Sequence, residues 1–341
     1  MRIAQIAPPW LPVPPWGCGG VENVVATLTD GLVEHGHDVT LFACGGSSTR
    51  ARLHAYYDEP LGTTRQVHEP LTALPHLLAA YKNLDEFDVI HDHAFPLGPA
   101  LGIRRDRPPV VHTVHLSPDA PYATPIYNSV NGHLALVAVS AAQAQASPHL
   151  QFTAMIHNGI PVCDFEFSAQ KGDYLLFLGR MAPGKGVHLA VEAARRLRRP
   201  LLIAAKMQNP EEIAYFESRV KPLLTSDTVF LGEADRRRKI DLLARAACTL
   251  VPSQWREAFG LVMIESLACG TPVVALRTGS AAEIIDHGTT GFVARDFDEF
   301  VELAAHVDEL DPAACRRAVE DRFSAERMVE AYEQLYVDLS R

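Results

Sequence analysis

Short apolar runs alternate with amphipathic stretches along the whole chain. In the first half, the runs that predict buried strands are residues 2–8, 38–43, 88–93, 110–115 and 135–140. Between the first two runs, residues 21–36 repeat apolar positions with helical spacing, which predicts an amphipathic helix closed by Gly36. Strands that alternate with helices in this way are typical of a parallel sheet with helices on both faces.

The same alternation restarts after about residue 165. The predicted strands there are 174–180, 200–206, 228–232, 248–253 and 272–276, and the predicted helices are 187–199, 210–224, 238–247 and 260–269. The periodicity lapses between the two halves, across residues 156–173. The pattern therefore predicts an α/β protein of two doubly wound, Rossmann-like domains, residues 1–164 and 165–324, with the ligand in a cleft at the carboxyl ends of the strands.

Charge and cysteine usage narrow the class of protein. Lys and Arg number 31 against 41 Asp and Glu, a net charge of -10, which disfavours nucleic acid and, more weakly, an anionic membrane surface. The six cysteines show no CxxC spacing, so a disulfide framework or a structural zinc site is not expected. No signal peptide and no apolar run of membrane-spanning length is visible, and we expect a soluble, cytoplasmic protein.

A glycine-rich turn, residues 16–23, lies between the first predicted strand and the first predicted helix. Glycines at this place let backbone amides approach a phosphate at the helix start, although a plain tight turn explains them equally well. Glu22 occupies the position of the third glycine of a dinucleotide fingerprint. The strand at 38–43 also ends without the acid that would hold an NAD ribose, which disfavours a dehydrogenase.

Basic side chains occur in several groups, and one of them lies in a glycine frame. Arg180 and Lys185 flank a Pro-Gly turn between a predicted strand and a predicted helix, where both cations can fold toward one diphosphate. Two isolated loop charges would be solvated, but the glycines on both sides favour a ligand site. The basic run 195–199 is interpreted as a helix end. The run 236–239 is interpreted as a solvated helix start, with a contribution to nucleotide binding as the alternative.

Two glutamates, Glu257 and Glu265, flank a short apolar stretch. On one helix, eight steps of about 1.5 Å would separate them by roughly 12 Å, more than the roughly 5–9.5 Å of a glycosidase pair. We therefore expect Glu257 in a loop and Glu265 in the helix, contacting different ends of one elongated ligand. The amides of Phe259, Gly260 and Leu261 would be free donors at the helix start. A solvated Glu265 is the alternative.

Two further motifs resemble metal sites. Asp296, Phe297 and Asp298 form a DxD sequence, but they open a predicted helix, and helix capping is the better interpretation. His91 and His93 share one face of a predicted strand, yet a pair without a third ligand is a weak metal signal. We expect no metal site and a structural or acceptor-side role for the two histidines.

Taken in order, four motifs resemble the family 4 retaining glycosyltransferases of GT-B fold. They are Gly19-Gly20, the GRxxxxKG sequence at 179–186, the E-x7-E signature within 252–275, and the stretch 279–292. The resemblance runs over essentially the whole chain. It implies an acceptor-side first domain, a nucleotide-sugar-binding second domain, and a last helix, about 325–341, that crosses back onto the first domain.

The resemblance also implies roles for the residues of the second domain. Arg180 and Lys185 would hold the diphosphate of the donor, and Glu257 would face the donor sugar near the amides of Phe259 to Leu261. Glu265 would bind the ribose hydroxyls. The base would lie near Gly232 and Glu233.

In the first domain, the resemblance implies that the Gly19-Gly20 loop closes over the phosphates and that His115 contacts the transferred sugar. Two positions depart from the common family pattern. Leu116 stands where an acid usually follows that histidine, and Lys206 replaces a glycine-rich turn after the second strand of the second domain. Lys206 could add a third cation for the phosphates or cap a sheet edge. Both departures put the identity of the donor sugar in doubt.

The expected function is metal-independent, retaining transfer of a sugar from a nucleoside diphosphate sugar to a hydroxyl acceptor. A UDP-sugar is favoured as co-substrate, no cofactor is expected, and the acceptor would be a small molecule or oligosaccharide in natural-product or oligosaccharide biosynthesis. Two alternatives stay open. One is a nucleotide-sugar epimerase of the same architecture, and the other is a non-catalytic nucleotide-sugar-binding partner. The sequence does not indicate an oligomeric state.

Overall fold

The computed structural model describes residues 1–63, 70–82, 84–95, 97–103 and 108–341. Its contacts divide the chain into two compact units. Unit 1 comprises Met1–Gly159 with Ala325–Arg341, and unit 2 comprises Ile160–Ser324. The boundary therefore lies between residues 159 and 160, five residues before the one that the sequence periodicity suggested.

Unit 1 is built on a seven-stranded, all-parallel sheet in the order β3-β2-β1-β4-β5-β6-β7. The strands are β1 (Arg2–Ile6), β2 (Asp38–Ala43), β3 (Arg52–Ala55), β4 (Val89–Asp92), β5 (Val110–Val114), β6 (Ala135–Ala138) and β7 (Phe152–Met155). The helices are α1 (Gly20–Glu34), α2 (Pro70–Ala80), α3 (Leu97–Leu101), α4 (Thr124–Val130), α5 (Ala141–Ala146) and α13 (Ala325–Leu339). Strand β1 is buried beyond Arg2 and strand β4 is buried throughout, as expected for central parallel strands.

The last helix, α13, packs on α1. Gly31 permits this approach, because a Cβ there would lie 2.5 Å from Val329. At the surface of the same contact, Glu333 accepts hydrogen bonds from His35 and His37 at 2.9 and 2.7 Å. The buried face of α13 supplies Met328, Val329, Tyr332, Leu335 and Tyr336. The carboxyl-terminal helix is therefore part of the core of unit 1.

Unit 2 is built on a six-stranded, all-parallel sheet in the order β10-β9-β8-β11-β12-β13. The strands are β8 (Leu175–Arg180), β9 (Leu201–Lys206), β10 (Thr228–Gly232), β11 (Cys248–Val251), β12 (Val273–Leu276) and β13 (Gly291–Ala294). The helices are α6 (Val187–Leu197), α7 (Pro210–Tyr215), α8 (Arg236–Arg245), α9 (Leu261–Ala268), α10 (Ala281–Ile284), α11 (Phe297–Ala304) and α12 (Pro312–Arg322). One apolar cluster fills the space between β8, β9, β11 and helices α6 and α11.

The predicted fold class, two doubly wound parallel-sheet domains, is confirmed. The helix predicted over 210–224 was wrong as a single element. The α-helix ends at Tyr215 and continues as a π-helical turn, Phe216–Val220, and a 3₁₀ turn, Lys221–Leu223. Lys221 keeps right-handed helical geometry, with φ of -53° and ψ of -40°, so the segment stays helical while its hydrogen-bond spacing changes.

Each sheet has one point where the strand order reverses. In unit 1 it lies between β1 and β4, and in unit 2 between β8 and β11. Loops that leave adjacent strands in opposite directions open a crevice there, which is where ligands of doubly wound sheets bind. In unit 2 the loops concerned are 181–186 and 252–260, which contain Lys185 and Glu257.

Candidate functional site

Glu257 lies in the loop after β11, and three side chains donate hydrogen bonds to its carboxylate. Its Oε1 accepts hydrogen bonds from Lys185 Nζ at 2.5 Å, Trp255 Nε1 at 2.6 Å and Ser253 Oγ at 2.8 Å. Burial acts to raise the pKa of this carboxyl, but the Lys185 ammonium and the three hydrogen bonds outweigh it, so the pKa lies below its usual value. Its Oε2 accepts no hydrogen bond within the described part of the chain.

Glycines allow this loop and the loop after β8 to approach closely. A Cβ at Gly184 would lie 2.3 Å from the indole of Trp255, and one at Gly186 would lie 2.2 Å from the carbonyl oxygen of Pro252. On the other side, Gly279 has φ of 52° and lies so close to the backbone of Glu257 that a Cβ would approach its carbonyl oxygen to 2.2 Å. The glycines on either side of Lys185 in the sequence therefore allow the loop that contains Glu257 to pack closely against them.

Arg180 ends β8 and donates from Nε and Nη2 to Oε1 of Glu212, at 3.0 and 2.7 Å. Glu212 is buried and belongs to a capping box with Asn209 at the start of α7, so its position is fixed by the helix end. Burial acts to raise the pKa of Glu212, but hydrogen bonds from Gln208, Arg180 and Asn209 outweigh it and the pKa is lowered. Arg180 is half exposed, which leaves guanidinium N–H groups for a ligand.

Lys206 is the register partner of Arg180 across the β8–β9 pair. Both side chains thus start from the carboxyl ends of neighbouring strands. Within the described residues, the Lys206 ammonium makes no hydrogen bond or ion pair, and the side chain is partly buried. The structure therefore places three cations, Arg180, Lys185 and Lys206, on adjoining loops and strand ends of unit 2.

Glu265 lies inside α9, as predicted, with only 6% of its surface exposed. Its Oε1 accepts a hydrogen bond from Lys239 Nζ at 2.6 Å. The interpretation of run 236–239 as a solvated helix start was wrong for Lys239, which is 17% exposed, because burial of Glu265 requires a partner of opposite charge. The nearby Arg236 is a surface cation, paired with Asp164.

The remaining predicted residues of unit 2 lie at the ends of β10 and α9. Gly260 is the N-cap of α9 with φ of 85°, and Leu261 is the first residue of the helix. Phe259 is buried against Phe323. Gly232 ends β10 with φ of 75°, and Glu233 follows it. A small pocket at the β8–β11 switch point is lined by Lys185, Ser253, Glu257, Gly260 and Val262, together with Phe177, Leu178, Leu250 and Val251.

In unit 1, Gly19 is the N-cap of α1 and Gly20 its first residue. A Cβ at Gly19 would lie 2.8 Å from Pro15, so the turn that precedes α1 is tightly packed. His115 follows β5 and is partly exposed, and its Nε2 lies 2.9 Å from Nδ1 of His93. Burial lowers the pKa of His115 to about 4, so the imidazole is neutral at pH 7.

His91 and His93 are fully buried side by side, with ring centroids 3.9 Å apart. His93 is bonded to His115 and Gln5, and His91 is bonded to Thr113 and Tyr336. These partners account for the pair as a polar network. Among the described residues, no group of three or more His, Cys, Asp or Glu side chains is arranged to hold a metal ion.

The DxD sequence is a helix cap in the structure. Asp296 is the N-cap of α11, and its carboxylate accepts a hydrogen bond from the amide of Glu299 at 3.0 Å. Asp298 lies in the first helical turn and pairs with Arg196. Helix capping therefore explains why an aspartate stands at position 296.

Sequence reasoning missed Glu212, Ser253 and Trp255 as parts of the site in unit 2, and it considered Lys239 only as a member of the run 236–239. A signal for Glu212 existed, since Asn209 and Glu212 have the spacing of a capping box. Nothing in the sequence pairs Lys239 with Glu265 or directs Trp255 Nε1 to Glu257, because those contacts join loops that only the fold brings together.

Two Rossmann-like units, with cations and carboxylates at the switch point of the second, are the architecture of GT-B glycosyltransferases. Family models agree over nearly the whole chain. Residues 18–162 match Glycosyltransferase Family 4, and residues 164–320 match Glycosyl transferases group 1. The chain therefore belongs to the family 4 glycosyltransferases of GT-B fold.

Individual relatives agree with this assignment. AviGT4, a glycosyltransferase involved in avilamycin A biosynthesis, is 27% identical, with a TM-score of 0.76 over 99% of this chain and 98% of its own. Glycogen synthase of Mycobacterium tuberculosis is 28% identical over 93% of this chain and 88% of its own. HepE of Anabaena, solved with UDP and glucose, shares the fold at 18% identity, with a TM-score of 0.78 over 99% of this chain and all of its own. None of the described helices has the length and apolar composition needed to cross a bilayer.

The buried histidines of unit 1 predict acid sensitivity of its stability. Burial lowers the pKa of His76 to about 4, of His112 to about 3 and of His115 to about 4, and holds those of His91 and His93 well below 6.5. The folded state keeps these groups neutral while the unfolded state binds protons below 6.5. Above pH 6.5 these groups do not lower the free energy of unfolding. As the pH falls below 6.5, each group lowers it by up to about 1.4 kcal/mol per pH unit.

Three groups act in the opposite direction, because their pKa is raised in the folded state. Asp92 is raised to about 7 by burial, and His35 and His306 are raised chiefly by hydrogen bonds to Glu333 and Glu309. Burial also lowers the pKa of His188 in unit 2, so six histidines oppose these three groups. We therefore expect the urea midpoint to be lower at pH 5.5 than at pH 7.5. A midpoint that is equal or higher at pH 5.5 would show that the histidines are charged in the folded state.

Proposed function

We propose that the protein transfers a sugar from a nucleoside diphosphate sugar to a hydroxyl group of a small-molecule or oligosaccharide acceptor, with retention of anomeric configuration and without a metal ion. The observation that carries this proposal is the site of unit 2. Three cations stand at the β8–β11 switch point and the neighbouring strand end, beside two carboxylates, Glu257 and Glu265. This set matches the charges of a diphosphate and the hydroxyl groups of a ribose and a sugar.

The cations supply the electrostatic part of the reaction. When the bond from the anomeric carbon to the diphosphate oxygen breaks, negative charge develops on the leaving group. Arg180 and Lys185 each use part of their donor capacity on a carboxylate, which holds them in place, and keep further N–H donors for phosphate oxygens. Fixed donors at a site of developing charge lower the barrier without reorganisation at the moment of reaction.

The carboxylates bind the two ends of the donor. Glu265 accepts from the ribose hydroxyls, with Lys239 holding its other oxygen. Glu257 presents Oε2 to the sugar while Oε1 is fixed by three donors. The acceptor oxygen attacks the anomeric carbon from the face that the diphosphate leaves, and its proton passes to a phosphate oxygen of the leaving group. No protein nucleophile is required.

A UDP-sugar is the preferred donor in this proposal, and natural-product or oligosaccharide biosynthesis is the preferred setting. The fold relative HepE binds UDP and glucose, and AviGT4 acts in avilamycin A biosynthesis. The buried free thiols of Cys44, Cys248, Cys269 and Cys315 are consistent with the reducing cytoplasm. Lys206 would serve as a third phosphate donor.

The proposal is tested by incubating the protein with a panel of nucleotide sugars, with and without mixed hydroxyl acceptors. We expect a donor that stabilises the folded protein against heat and that is consumed only when an acceptor is present. Conversion of the nucleotide sugar without acceptor would indicate an epimerase. Binding without turnover over a broad acceptor set would indicate a non-catalytic partner.

Removal of either phosphate cation should slow transfer. Charge-assisted hydrogen bonds contribute about 1.5–3 kcal/mol, so Arg180→Ala and Lys185→Ala should each lower kcat/KM by about tenfold to a few hundredfold. Arg295→Ala is the control, because Arg295 pairs with Glu299 on the surface of the same unit. Initial rates at saturating acceptor and varied donor give kcat/KM for each variant and for the wild-type protein. Near wild-type rates for both site variants would refute the diphosphate site.

Substitution of Glu265 and of Glu257 should affect different kinetic parameters. Glu265→Gln should weaken donor and free nucleoside diphosphate alike, which appears in KM, because ribose contacts persist through the reaction. Glu257→Gln should lower kcat and leave nucleoside diphosphate affinity within about twofold, because its charge matters as positive character grows on the sugar. Calorimetric titration with the free nucleoside diphosphate distinguishes the two variants. Glu217→Gln, on the surface, is the control. If only Glu257→Gln lost nucleoside diphosphate binding, the assignment of the ribose to Glu265 and of the sugar to Glu257 would be reversed.

Chelation should leave activity intact. The three cations and the amides at the start of α9 neutralise the diphosphate, so a divalent ion has no necessary task. We expect the rate in excess EDTA to stay within about twofold of the untreated rate. A loss of about tenfold or more that magnesium or manganese restores would contradict metal-independent transfer.

A further inference from the structure

A continuous chain of hydrogen bonds runs through the core of unit 1, from the partly exposed His115 to helix α13. His115 Nε2 lies 2.9 Å from His93 Nδ1, and His93 Nε2 lies 2.9 Å from Gln5 Oε1. Gln5 Nε2 donates to the hydroxyl of Tyr336 at 3.2 Å. That hydroxyl lies 2.6 Å from His91 Nδ1, so one end of the chain meets solvent and the other lies in the core.

The direction of these bonds follows from which atoms can donate. The amide oxygen of Gln5 is only an acceptor, so the proton between it and His93 belongs to His93 Nε2. Burial, and then the neighbouring histidines His91, His115 and His112, hold the pKa of His93 well below 6.5, so the ring is neutral and carries one proton. With that proton on Nε2, His93 Nδ1 is an acceptor. His115 Nε2 must therefore donate to it.

The remaining bonds agree with the same direction. Tyr336 accepts from Gln5 and donates to His91 Nδ1. His91 then carries its proton on Nε2 and donates to Thr113 Oγ1 at 2.7 Å, and Thr113 is bonded to Tyr332 at 2.7 Å. In this arrangement each hydrogen-bond donor on the path faces an acceptor, which favours one set of histidine tautomers over a mixture of tautomers.

We propose that Gln5 and His93 are positioning residues that hold His115 as the Nε2–H tautomer, so that its Nδ1 is presented as a hydrogen-bond acceptor to a carbohydrate hydroxyl. Nδ1 of His115 has no partner among the described residues. The ring planes of His115 and His93 lie 27° apart with centroids 5.2 Å apart, so the two rings are nearly coplanar, as an N–H···N bond between them requires. The role of His115 toward carbohydrate rests on the proposed function. The tautomer itself does not.

The tautomer is measured first, in the unliganded wild-type protein at pH 7, by long-range proton–nitrogen correlation of ¹⁵N-histidine. Loss of its signals in His115→Gln assigns the ring of His115. We expect a pyrrole-type Nε2 and a pyridine-type Nδ1 for both His115 and His93. A protonated Nδ1 on His115, or averaged shifts for its two nitrogens, would overturn the proposal. This readout requires no activity, so it stands even if no donor sugar is found.

Kinetics then test the role of the contact. His93→Leu removes the acceptor, and we expect kcat to fall by about tenfold to a hundredfold while free nucleoside diphosphate, which binds unit 2, keeps its affinity. His112→Leu is the matched control, because His112 is an equally buried histidine of β5 whose Nε2 is bonded to Tyr127 and lies outside the hydrogen-bond chain described above. His93→Asn, which keeps an acceptor oxygen near the place of Nδ1, should recover most of the rate. Equal losses in His93→Leu and His112→Leu would show a structural role alone.

Discussion

The structure of unit 2 depends on the burial of carboxylates, each of which requires a cation. Glu257, Glu212 and Glu265 are paired with Lys185, Arg180 and Lys239. An unpaired carboxylate in such surroundings would be too costly to keep ionised. The pairs therefore hold charged side chains at the carboxyl edge of the sheet before any ligand arrives. An anionic ligand that enters this edge meets cations that are already oriented.

A different constraint shapes unit 1. Its core contains a row of neutral imidazoles, phenols and an amide, and each must find a partner of the opposite hydrogen-bonding kind. Helix α13 supplies two of the partners, Tyr332 and Tyr336. The chain end is thus part of the polar core, and its sequence position far from β1 and β4 hides this fact. The same network reaches the surface at His115.

The sequence predicted most of the fold, because strand and helix periods are local properties. It missed β3, β7 and β13, which are short edge or near-edge strands of four residues each. The patterns of β3 and β7 are weak, because an edge strand needs no continuous apolar run: every residue of β3 is exposed. β13 is buried throughout, but its run is only four residues long. The prediction that 210–224 is one α-helix failed after Tyr215, where π and then 3₁₀ spacing replaces the α-helical hydrogen bonds, a change that apolar periodicity does not reveal.

Only the residues of the candidate site that belong to sequence motifs could be predicted. Glycines beside Lys185 indicated a diphosphate site, the spacing of Glu257 and Glu265 indicated contacts with two ends of one ligand, and the family resemblance implied the ribose. The partners that hold them were not predictable in the same way. Trp255 Nε1 reaches Glu257 only because Gly184 lets the indole lie on the neighbouring loop. Contacts of this kind depend on tertiary packing, which no local pattern encodes.

The central claim is that a nucleoside diphosphate sugar binds at the β8–β11 switch point with its phosphates on the oriented cations. A crystal structure of the protein with UDP or an unreactive UDP-sugar tests this directly. We expect phosphate oxygens within hydrogen-bond distance of Arg180 and Lys185 and ribose hydroxyls at Glu265. A nucleotide bound away from this switch point, with those three side chains untouched, would contradict it.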